Sequence, residues 1–341
     1  MSDPRSPSDP ADAASVRPLN RRDTLRLLGA AGLVTAAAPL ARAQTAPAQT
    51  APAQTAPAPA APSGPLNGNG FYRQRLGDLT TVIVSDGTAP LAALLPTWGA
   101  NPDRQAEFAA TLAEYHVPAT NTVNHFTPVV LETGRHRVLI DTGRGGANGQ
   151  LLANLARAGI DPASIDTVFI THGHGDHIGG LTTGGQPTFP GARHVMGAAE
   201  FQFWTTQASP NAAVQANLIG LRDRFTLIQP GAEIVPGLTA VATPGHTLGH
   251  LAVRAQSGDQ GLMVFGDAAG HFLLSLRHRG AYIGFDTDGP LAARTRQRIF
   301  NTAVEEGLWV TGYHFPFPAI GHLRRVIGGA YEYEPAVWQW S

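Results

Sequence analysis

The chain has 341 residues and a formal net charge of −1, so it lacks the concentrated basic face that nucleic-acid binding requires. It contains no cysteine, which excludes disulfides and thiolate ligands and leaves histidine and carboxylate groups to hold any metal. The hydrophobic fraction of 43% is ordinary for a globular core, and 39 glycines with 27 prolines indicate many turns.

The first 65 residues have the pattern of an export signal followed by a linker. Residues 20–43, NRRDTLRLLGAAGLVTAAAPLARA, join a pair of arginines to a weakly apolar run and end in the small-x-small cleavage pattern Ala-Arg-Ala. We predict a twin-arginine signal over 1–43, and a periplasmic or secreted protein with no membrane association after signal removal. Residues 44–65, rich in Ala, Pro, Gln and Thr, repeat AQTAP and are predicted to be a disordered linker.

Past the linker, strand and helix patterns alternate through a predicted domain over 66–341. Four of the predicted strands lead into turns that carry histidine or aspartate, and loops at strand ends commonly present functional side chains. We therefore expect a site at this end of the sheets. In chain order the predicted elements are strands at 79–87 and 127–143 (a hairpin), a helix at 149–160, a strand at 166–171, a helix at 197–206, strands at 237–255 and 261–267, a helix at 291–307 and a strand at 308–314.

The stretch THGHGDHIGG, residues 171–180, crowds four potential ligands onto one glycine-rich turn after a predicted buried strand. Alternate residues of an extended segment face the same side, which groups the first two histidines. Seven groups lie at strand ends, too many for a single catalytic zinc, which has about four ligands and an open position. They fit two metals roughly 3.5–4 Å apart that share a carboxylate and a hydroxide. The seven are His172, His174, Asp176, His177, His246, Asp267 and His314.

Four segments in this order resemble the metallo-β-lactamase-fold hydrolases: THGHGDHIGG, PGHTLGH (244–250), VFGDAAGH (264–271) and GYHFPFP (312–318), with IDTG (140–143) upstream. The resemblance implies an α/β fold, a four-layer αββα sandwich, with the metals at one edge. It also implies that His172, His174 and His246 hold one metal, that Asp176, His177 and His314 hold the other, and that Asp267 bridges them. His250 is not a ligand in that family and is predicted to be structural.

Three further segments resemble the methyl parathion hydrolase subgroup, which contains exported dinuclear enzymes and has relatives that open lactones or cleave aryl esters. These segments are GFYRQRLGDLTTVIVSDG (70–87), FPFPAIGHLRR (315–325) and YEYEPA (331–336). In that subgroup a longer apolar loop after the DTG strand helps to form an aromatic pocket, whereas GRGGANGQ (143–150) is short and nearly without apolar groups. The predicted substrate is therefore a lactone, a carboxylic ester or an organophosphate ester.

The predicted mechanism uses a hydroxide that bridges two divalent ions, zinc first, with manganese, cobalt or iron compatible with the same ligands. Asp267 and Asp176 are the predicted catalytic carboxylates, because Asp267 sets the metal spacing and Asp176 is available for proton transfer. Loss of Asp267 or His174 is predicted to abolish turnover, and loss of His250 is not.

Substrate contacts are less specific in the sequence, because aromatic side chains also build cores. The candidates are aromatic residues beside a ligand or on one helix, and histidines near strand ends. They are Phe315, Phe317, Trp204, Phe201, Phe203, His125 and His271.

Other activities share part of this pattern. A glyoxalase-II-like thioester hydrolase shares nearly every ligand. It usually adds a helical C-terminal region with basic residues, and the only indication of one here is the pair Arg324 and Arg325. A β-lactamase lacks the bridging carboxylate that Asp267 supplies, a nuclease would need a basic surface, and an iron-dependent redox enzyme would need a different metal. A binding module would be expected to lose ligands, and none is missing. The predicted partner is a small-molecule ester or lactone, and segment 66–116 is a candidate dimer face.

Overall fold

The structure, a computed structural model, describes residues 67–338. The predicted signal over 1–43 and linker over 44–65 lie outside the described residues. Strands and helices are numbered below in chain order.

The first sheet has eight strands and changes character along its width. Its first half is antiparallel, and the confirmed hairpin at residues 127–143 pairs Val129 with Ile140. Its second half is parallel, because crossover segments return the chain to the same edge. In spatial order the strands are β1 (Asn67–Gly68), β2 (Phe71–Leu76), β3 (Leu79–Val84), β6 (Val129–Glu132), β7 (Arg137–Ile140), β8 (Thr167–Ile170), β11 (Arg193–Gly197) and β12 (Phe225–Ile228).

The second sheet has seven strands and is antiparallel except for one parallel pair, β16 with β17. In spatial order its strands are β13 (Glu233–Val235), β14 (Leu238–Ala242), β15 (Leu251–Ser257), β16 (Gln260–Val264), β17 (Trp309–Thr311), β18 (Ile320–Arg325) and β19 (Tyr331–Pro335). Two small ribbons complete the described strands: β4 (Thr88–Ala93) with β5 (Thr120–His125), and β9 (Thr182–Thr183) with β10 (Gln186–Pro187).

Among the described residues the helices lie between strands as crossovers or caps. The longest begins after Asp288, whose Oδ1 accepts a hydrogen bond of 2.9 Å from the Leu291 N–H and satisfies a free donor of the first turn. The helices are α1 (Gln105–Glu114), α2 (Leu151–Arg157), α3 (Gly175–Ile178), α4 (Ala198–Thr205), α5 (Ala212–Val214), α6 (Leu274–Arg277) and α7 (Gly289–Glu305). None of the helices within 67–338 is both long and apolar enough to cross a membrane.

Two buried clusters hold these layers together. One joins facing sides of the two sheets, with Phe169 of β8 and Val253 of β15 in the same cluster, and extends to α7 through Phe300, whose ring lies 5.4 Å from that of Phe265. The other packs α2 and α4 on the opposite face of the first sheet, through residues such as Leu155. The mixed α/β fold is thereby confirmed, and every predicted strand and helix corresponds to an observed element.

An insertion that the sequence patterns did not reveal packs beside the strand ends. The ribbon β4–β5 and the helix α1 between its strands share a third buried cluster with the segment that carries α6. Trp98, Phe108, Leu274 and Ile283 belong to this cluster. It places the Trp98 indole against the site described next.

Candidate metal centre

The seven predicted ligands converge at one end of the two sheets. β8 leads into the extended pair His172 and His174, and α3 follows with Asp176 and His177. Three strands of the second sheet supply the rest: His246 follows β14, Asp267 follows β16 and His314 follows β17. Their donor atoms form two groups, each within 4.8 Å: His172, His174, His246 and Asp267 in one, and Asp176, His177 and His314 in the other.

Three imidazole nitrogens meet in the first group. His174 Nδ1 lies 2.9 Å from His172 Nε2 and 3.0 Å from His246 Nε2. The glycine between the first two histidines is required sterically, because a Cβ on Gly173 would overlap the Trp204 indole. Trp204 itself lies with its ring 5.3 Å from that of His174.

In this group, the ring nitrogens that face away from the site have hydrogen-bond partners that show which nitrogen carries the proton. Thr171 Oγ1 donates to Asp141 Oδ2 at 2.8 Å, so it accepts at 3.0 Å from His172 Nδ1, and Nε2 of that ring carries a lone pair. His246 Nδ1 donates to Asp286 Oδ1 at 3.0 Å, which leaves its Nε2 with a lone pair as well. His174 Nδ1 faces both of these lone pairs, and a single N–H there cannot donate to both.

The second group repeats this arrangement. His177 Nδ1 donates to Asp141 Oδ2 and His314 Nδ1 donates to the carbonyl oxygen of His125, each at 2.7 Å. Both Nε2 atoms therefore face the Asp176 carboxylate, at 3.8 and 3.5 Å. Outer partners that fix the tautomer and orientation of a histidine are a regular feature of metal-binding histidines.

Asp267 lies between the two groups. Its Oδ2 is 3.3 Å from His246 Nε2 and 3.2 Å from His314 Nε2, and its Oδ1 is 3.3 Å from His177 Nε2. Burial alone would raise the pKa of this carboxyl, but His314 and His177 lower the pKa well below its ordinary value. A carboxylate charge is therefore held at the centre, where one oxygen faces both groups.

The histidines respond to burial and to this charge in opposite ways. Burial lowers the pKa of His172 well below its ordinary value and lowers that of His174 to about 4, so both rings are neutral at pH 7. Burial also lowers the pKa of His177 and His314, but the Asp267 and Asp176 carboxylates, joined by Asp141 beside His177, together outweigh it and raise the pKa of each ring. The negative charge of the Asp267 carboxylate thus favours positive charge between these rings, either as protons on the histidines or as metal ions.

The donor set fits two divalent cations. Among residues 67–338, His177 Nε2 and Asp267 Oδ1 are buried side-chain atoms with no hydrogen-bond partner. Leaving such atoms unpaired costs about 1–3 kcal/mol each. The two atoms lie 3.3 Å apart within the donor set, where a bound cation would give both of them a partner. Imidazole and carboxylate groups without thiolate suit zinc, manganese, cobalt or iron. The residues present are therefore compatible with the metals that the sequence predicted.

Two buried side chains behind the ligands were not identified from the sequence as site components. Glu200 on α4 accepts hydrogen bonds from the Gly173 and Gly249 N–H groups, at 3.1 and 3.0 Å, and from the Trp204 indole at 2.6 Å. It therefore joins the two loops that carry the first group. Asp286, which orients His246, follows no recognisable motif, and only the fold brings it there.

The aromatic surroundings differ from the sequence prediction. Phe315 is fully buried in the core with its ring 5.1 Å from that of Tyr333, so it is not exposed to a substrate. Phe317 is partly buried against the same cluster, with its ring 6.1 Å from that of Trp338. Phe201 is also core. Their side chains point into the sheets, although the chain segment adjoins a ligand.

The remaining predicted contacts lie near the centre or on the surface. His125 is half-buried and contributes its carbonyl oxygen to His314, and Trp204 lies beside His174. Phe203 is 40% exposed on α4. His271 is buried, and its Nδ1 accepts from the N–H groups of residues 273 and 274, which makes it a local turn anchor.

Two aromatic residues that the sequence did not single out form a wall beside His314. The Trp98 ring lies 5.1 Å from the His314 ring and is almost fully buried. Phe285 meets it edge-on at 6.5 Å and is 57% exposed, so one aromatic face next to the buried polar cluster is open to solvent. Phe126 covers His314 from another side, with the rings 5.5 Å apart.

Comparison with known proteins gives consistent likenesses. Residues 127–298, about half of the chain, match the family model of the metallo-beta-lactamase superfamily. "Metallo-beta-lactamase domain-containing protein 1" of Xenopus laevis is 30% identical over 136 residues, 40% of this chain. The chain spans about half the length of that relative, 51%.

Two likenesses concern lactonases. An "N-acyl homoserine lactonase" of a Bacillus species is 24% identical over 200 residues, which cover 52% of this chain and 76% of that protein. The structure of AidC, described as a dizinc quorum-quenching lactonase in complex with a product, has a TM-score of 0.72 and 23% identity over 79% of this chain and 98% of that one. At that identity the second likeness concerns the fold alone.

Proposed function

This chain belongs to the metallo-beta-lactamase superfamily, and we propose that it is a dinuclear metal-dependent hydrolase that opens lactones carrying an apolar substituent. The observation that carries the proposal is the Asp267 carboxylate, whose Oδ2 lies 3.3 Å from His246 Nε2 in one group and 3.2 Å from His314 Nε2 in the other. In this proposal His172, His174 and His246 hold one ion, and Asp176, His177 and His314 hold the other. Asp267 is the shared ligand, and zinc is the first candidate metal.

When bound, two such ions supply Lewis-acid polarisation of the scissile carbonyl and lower the pKa of water. The chain's own groups do the rest. Asp267 keeps both ligand groups at one spacing. The hydrogen bonds made by Nδ1 of four ligand histidines, all but His174, keep their Nε2 atoms pointing inward. Asp176 is the least buried of the carboxylates, with its side chain 28% exposed, so it is placed to pass a proton to the leaving alcohol oxygen.

The aromatic wall supports an apolar substituent on the substrate. Trp98 and Phe126 shield His314 from water, and the exposed ring of Phe285 offers an apolar surface beside them. Burying an acyl or aryl group there gains about 25 cal/mol for each Å² removed from water. The lactonase activity named for the Bacillus relative agrees with such a substrate.

An organophosphate ester is the second candidate, favoured by the likeness of residues 70–87, 315–325 and 331–336 to the methyl parathion hydrolase subgroup. These segments mainly build β2, β3, β18 and β19, so the likeness concerns the sheets more than the substrate contacts. The short loop at 143–150 is fixed by Asp86, whose carboxylate accepts from the Arg144, Gln150 and Leu151 N–H groups at 2.8 Å each. It contributes no aromatic side chain, so we rank the lactone first.

The proposal is tested by comparing kcat/KM for an N-acyl homoserine lactone, an aromatic lactone, an aryl phosphotriester and an acyl thioester. The full-length chain is loaded with Zn²⁺ or Mn²⁺, and Asp267→Ala serves as the blank. We expect a lactone preference of about 100-fold, roughly 2.7 kcal/mol in transition-state binding. A phosphotriester or thioester preference of that size would replace the lactone assignment, and binding of no metal would overturn the dinuclear centre.

A further inference from the structure

A buried ion pair lies behind one of the proposed ligands and touches neither group of donor atoms. The Asp286 carboxylate is fully buried, and its Oδ2 lies 2.5 Å from Nη2 of Arg296 on α7. The same oxygen accepts from the Ile283 N–H at 3.0 Å, and Oδ1 accepts from His246 Nδ1 at 3.0 Å. Every oxygen of this carboxylate is therefore engaged in orienting a neighbour.

The arginine of the pair reaches a second ligand-bearing segment. Arg296 is almost fully buried, and its Nε donates at 2.8 Å to the carbonyl oxygen of Ala268, the residue directly after Asp267. Its Nη1 donates to the carbonyl oxygen of Ala281. One guanidinium thus connects the segment that follows the shared carboxylate with the aspartate that holds His246.

The backbone beside Asp286 fixes the same histidine loop. The Thr287 N–H donates to the His246 carbonyl oxygen and the Asp288 N–H donates to that of Gly245, at 2.9 Å each. Side chain and main chain of His246 are therefore both held by residues at the start of α7. The backbone of this loop lies close to α7, since a Cβ on Gly245 would overlap Ala292.

A buried ion pair is costly to desolvate and gives little net stability compared with apolar packing, so stability alone does not explain this one. Its geometry supplies something that apolar residues cannot. The carboxylate takes the Nδ1 proton of His246, which leaves the lone pair on Nε2, and the guanidinium keeps the carboxylate ionised and in place.

We propose that Asp286 and Arg296 are a positioning pair that sets the tautomer and orientation of His246, and thereby the affinity of the one metal ion that His246 would hold. Neither residue contacts the ion or the substrate. The inference rests on the proposed ligand set, and it is independent of which ester the protein cleaves.

The test measures Zn²⁺ binding by the full-length chain in competition with a chromophoric chelator, so that two equivalents are resolved. Asp286→Asn keeps the shape but removes the charge, and Arg296→Met removes the guanidinium. Arg298→Met is the matched control, because Arg298 lies on the same helix and donates only to a strand carbonyl, that of Ala242. We expect each test variant to weaken one zinc equivalent by about 10- to 100-fold and the other less than about threefold.

A double variant, Asp286→Asn with Arg296→Met, is expected to bind zinc about as weakly as the poorer single variant, because the two residues act as one unit. Unchanged affinities in both single variants would overturn the proposal. So would equal weakening of both equivalents together with a lower Tm of the zinc-free chain, which is the signature of a merely structural pair.

Arg296→Lys serves if the methionine variant does not fold, because lysine restores a charge but not all of the donors. A smaller loss for lysine than for Asp286→Asn supports the pair, and the wild-type affinity in Asp286→Asn contradicts it. A wild-type chain that binds no zinc would overturn the ligand set itself, so failure of the proposed function is distinguishable from failure of this inference.

Discussion

The backbone N–H of Asp267 donates a hydrogen bond of 3.2 Å to Nε2 of His250. The ring is fully buried, and its Nδ1 lies 2.7 Å from Thr243 Oγ1 at the end of β14. Burial lowers the pKa of His250 well below its ordinary value, so the ring is neutral and can accept at Nε2. His250 thus anchors the turn of the shared carboxylate without belonging to either ligand group.

This anchor leads to a graded prediction for three alanine variants. Asp267→Ala and His174→Ala are expected to lose turnover, because each removes a proposed ligand. His250→Ala is expected to retain measurable turnover and to lose about 1–3 kcal/mol of stability, since it leaves the buried N–H of Asp267 unpaired. Activity assays with metal analysis and denaturant unfolding check this, and equal activity in all three would contradict the ligand assignment.

Metal removal is expected to destabilise the protein. Without cations the lone pairs of His172 and His246 face each other across His174, and two buried polar atoms stay unpaired. Ions that bind only the folded chain stabilise it by about 2.7 kcal/mol at a free concentration 100 times Kd. Chelation should therefore lower Tm, and Zn²⁺ should restore it in a concentration-dependent way. An identical Tm with and without chelator would count against a metal centre.

The sequence predicted the strand ends well because their signals are local. Each ligand follows a short apolar run and sits in a glycine-rich turn, as in VFIT before His172 and LMVFG before Asp267. Burial of the run and the turn that follows it are both predictable from composition over a few residues. The hairpin turning near Thr133 was predictable for the same reason.

Contacts between distant segments were not predictable in this way. Trp98 reaches the site because a separate cluster packs an insertion against α6, and no local pattern encodes that packing. Phe285 follows Ile283 of the same cluster and contacts Trp98. Phe315 was mistaken for a pocket residue because adjacency along the chain says nothing of direction. Residues 313–318 form turns and bends, so neighbouring side chains leave the backbone in different directions, and this ring packs in the core.

Glu200→Gln tests the carboxylate that links two ligand loops. Glu200 is fully buried and takes three hydrogen bonds, and an amide of the same size replaces one acceptor oxygen with a donor. We expect a loss of about 1–3 kcal/mol in unfolding free energy and weaker zinc binding. Glu114→Gln on the exposed side of α1 is the control and should change neither. Wild-type stability and zinc affinity in Glu200→Gln would refute this role.

Phe285→Ala tests whether the exposed ring binds an apolar substituent. Its side chain is 57% exposed, so the substitution should leave folding nearly unchanged, whereas a substrate that covers the ring loses its contact. For a long-chain N-acyl lactone we expect kcat/KM to fall about fivefold, close to 1 kcal/mol, mainly through KM, with little change for a short-chain one. Ile327→Ala, a fully exposed residue in the turn between β18 and β19, is the control. An equal loss of kcat/KM for both chain lengths would contradict substrate binding by the ring. It would mean that Phe285 supports the metal centre, since Asp286 follows it directly and holds His246.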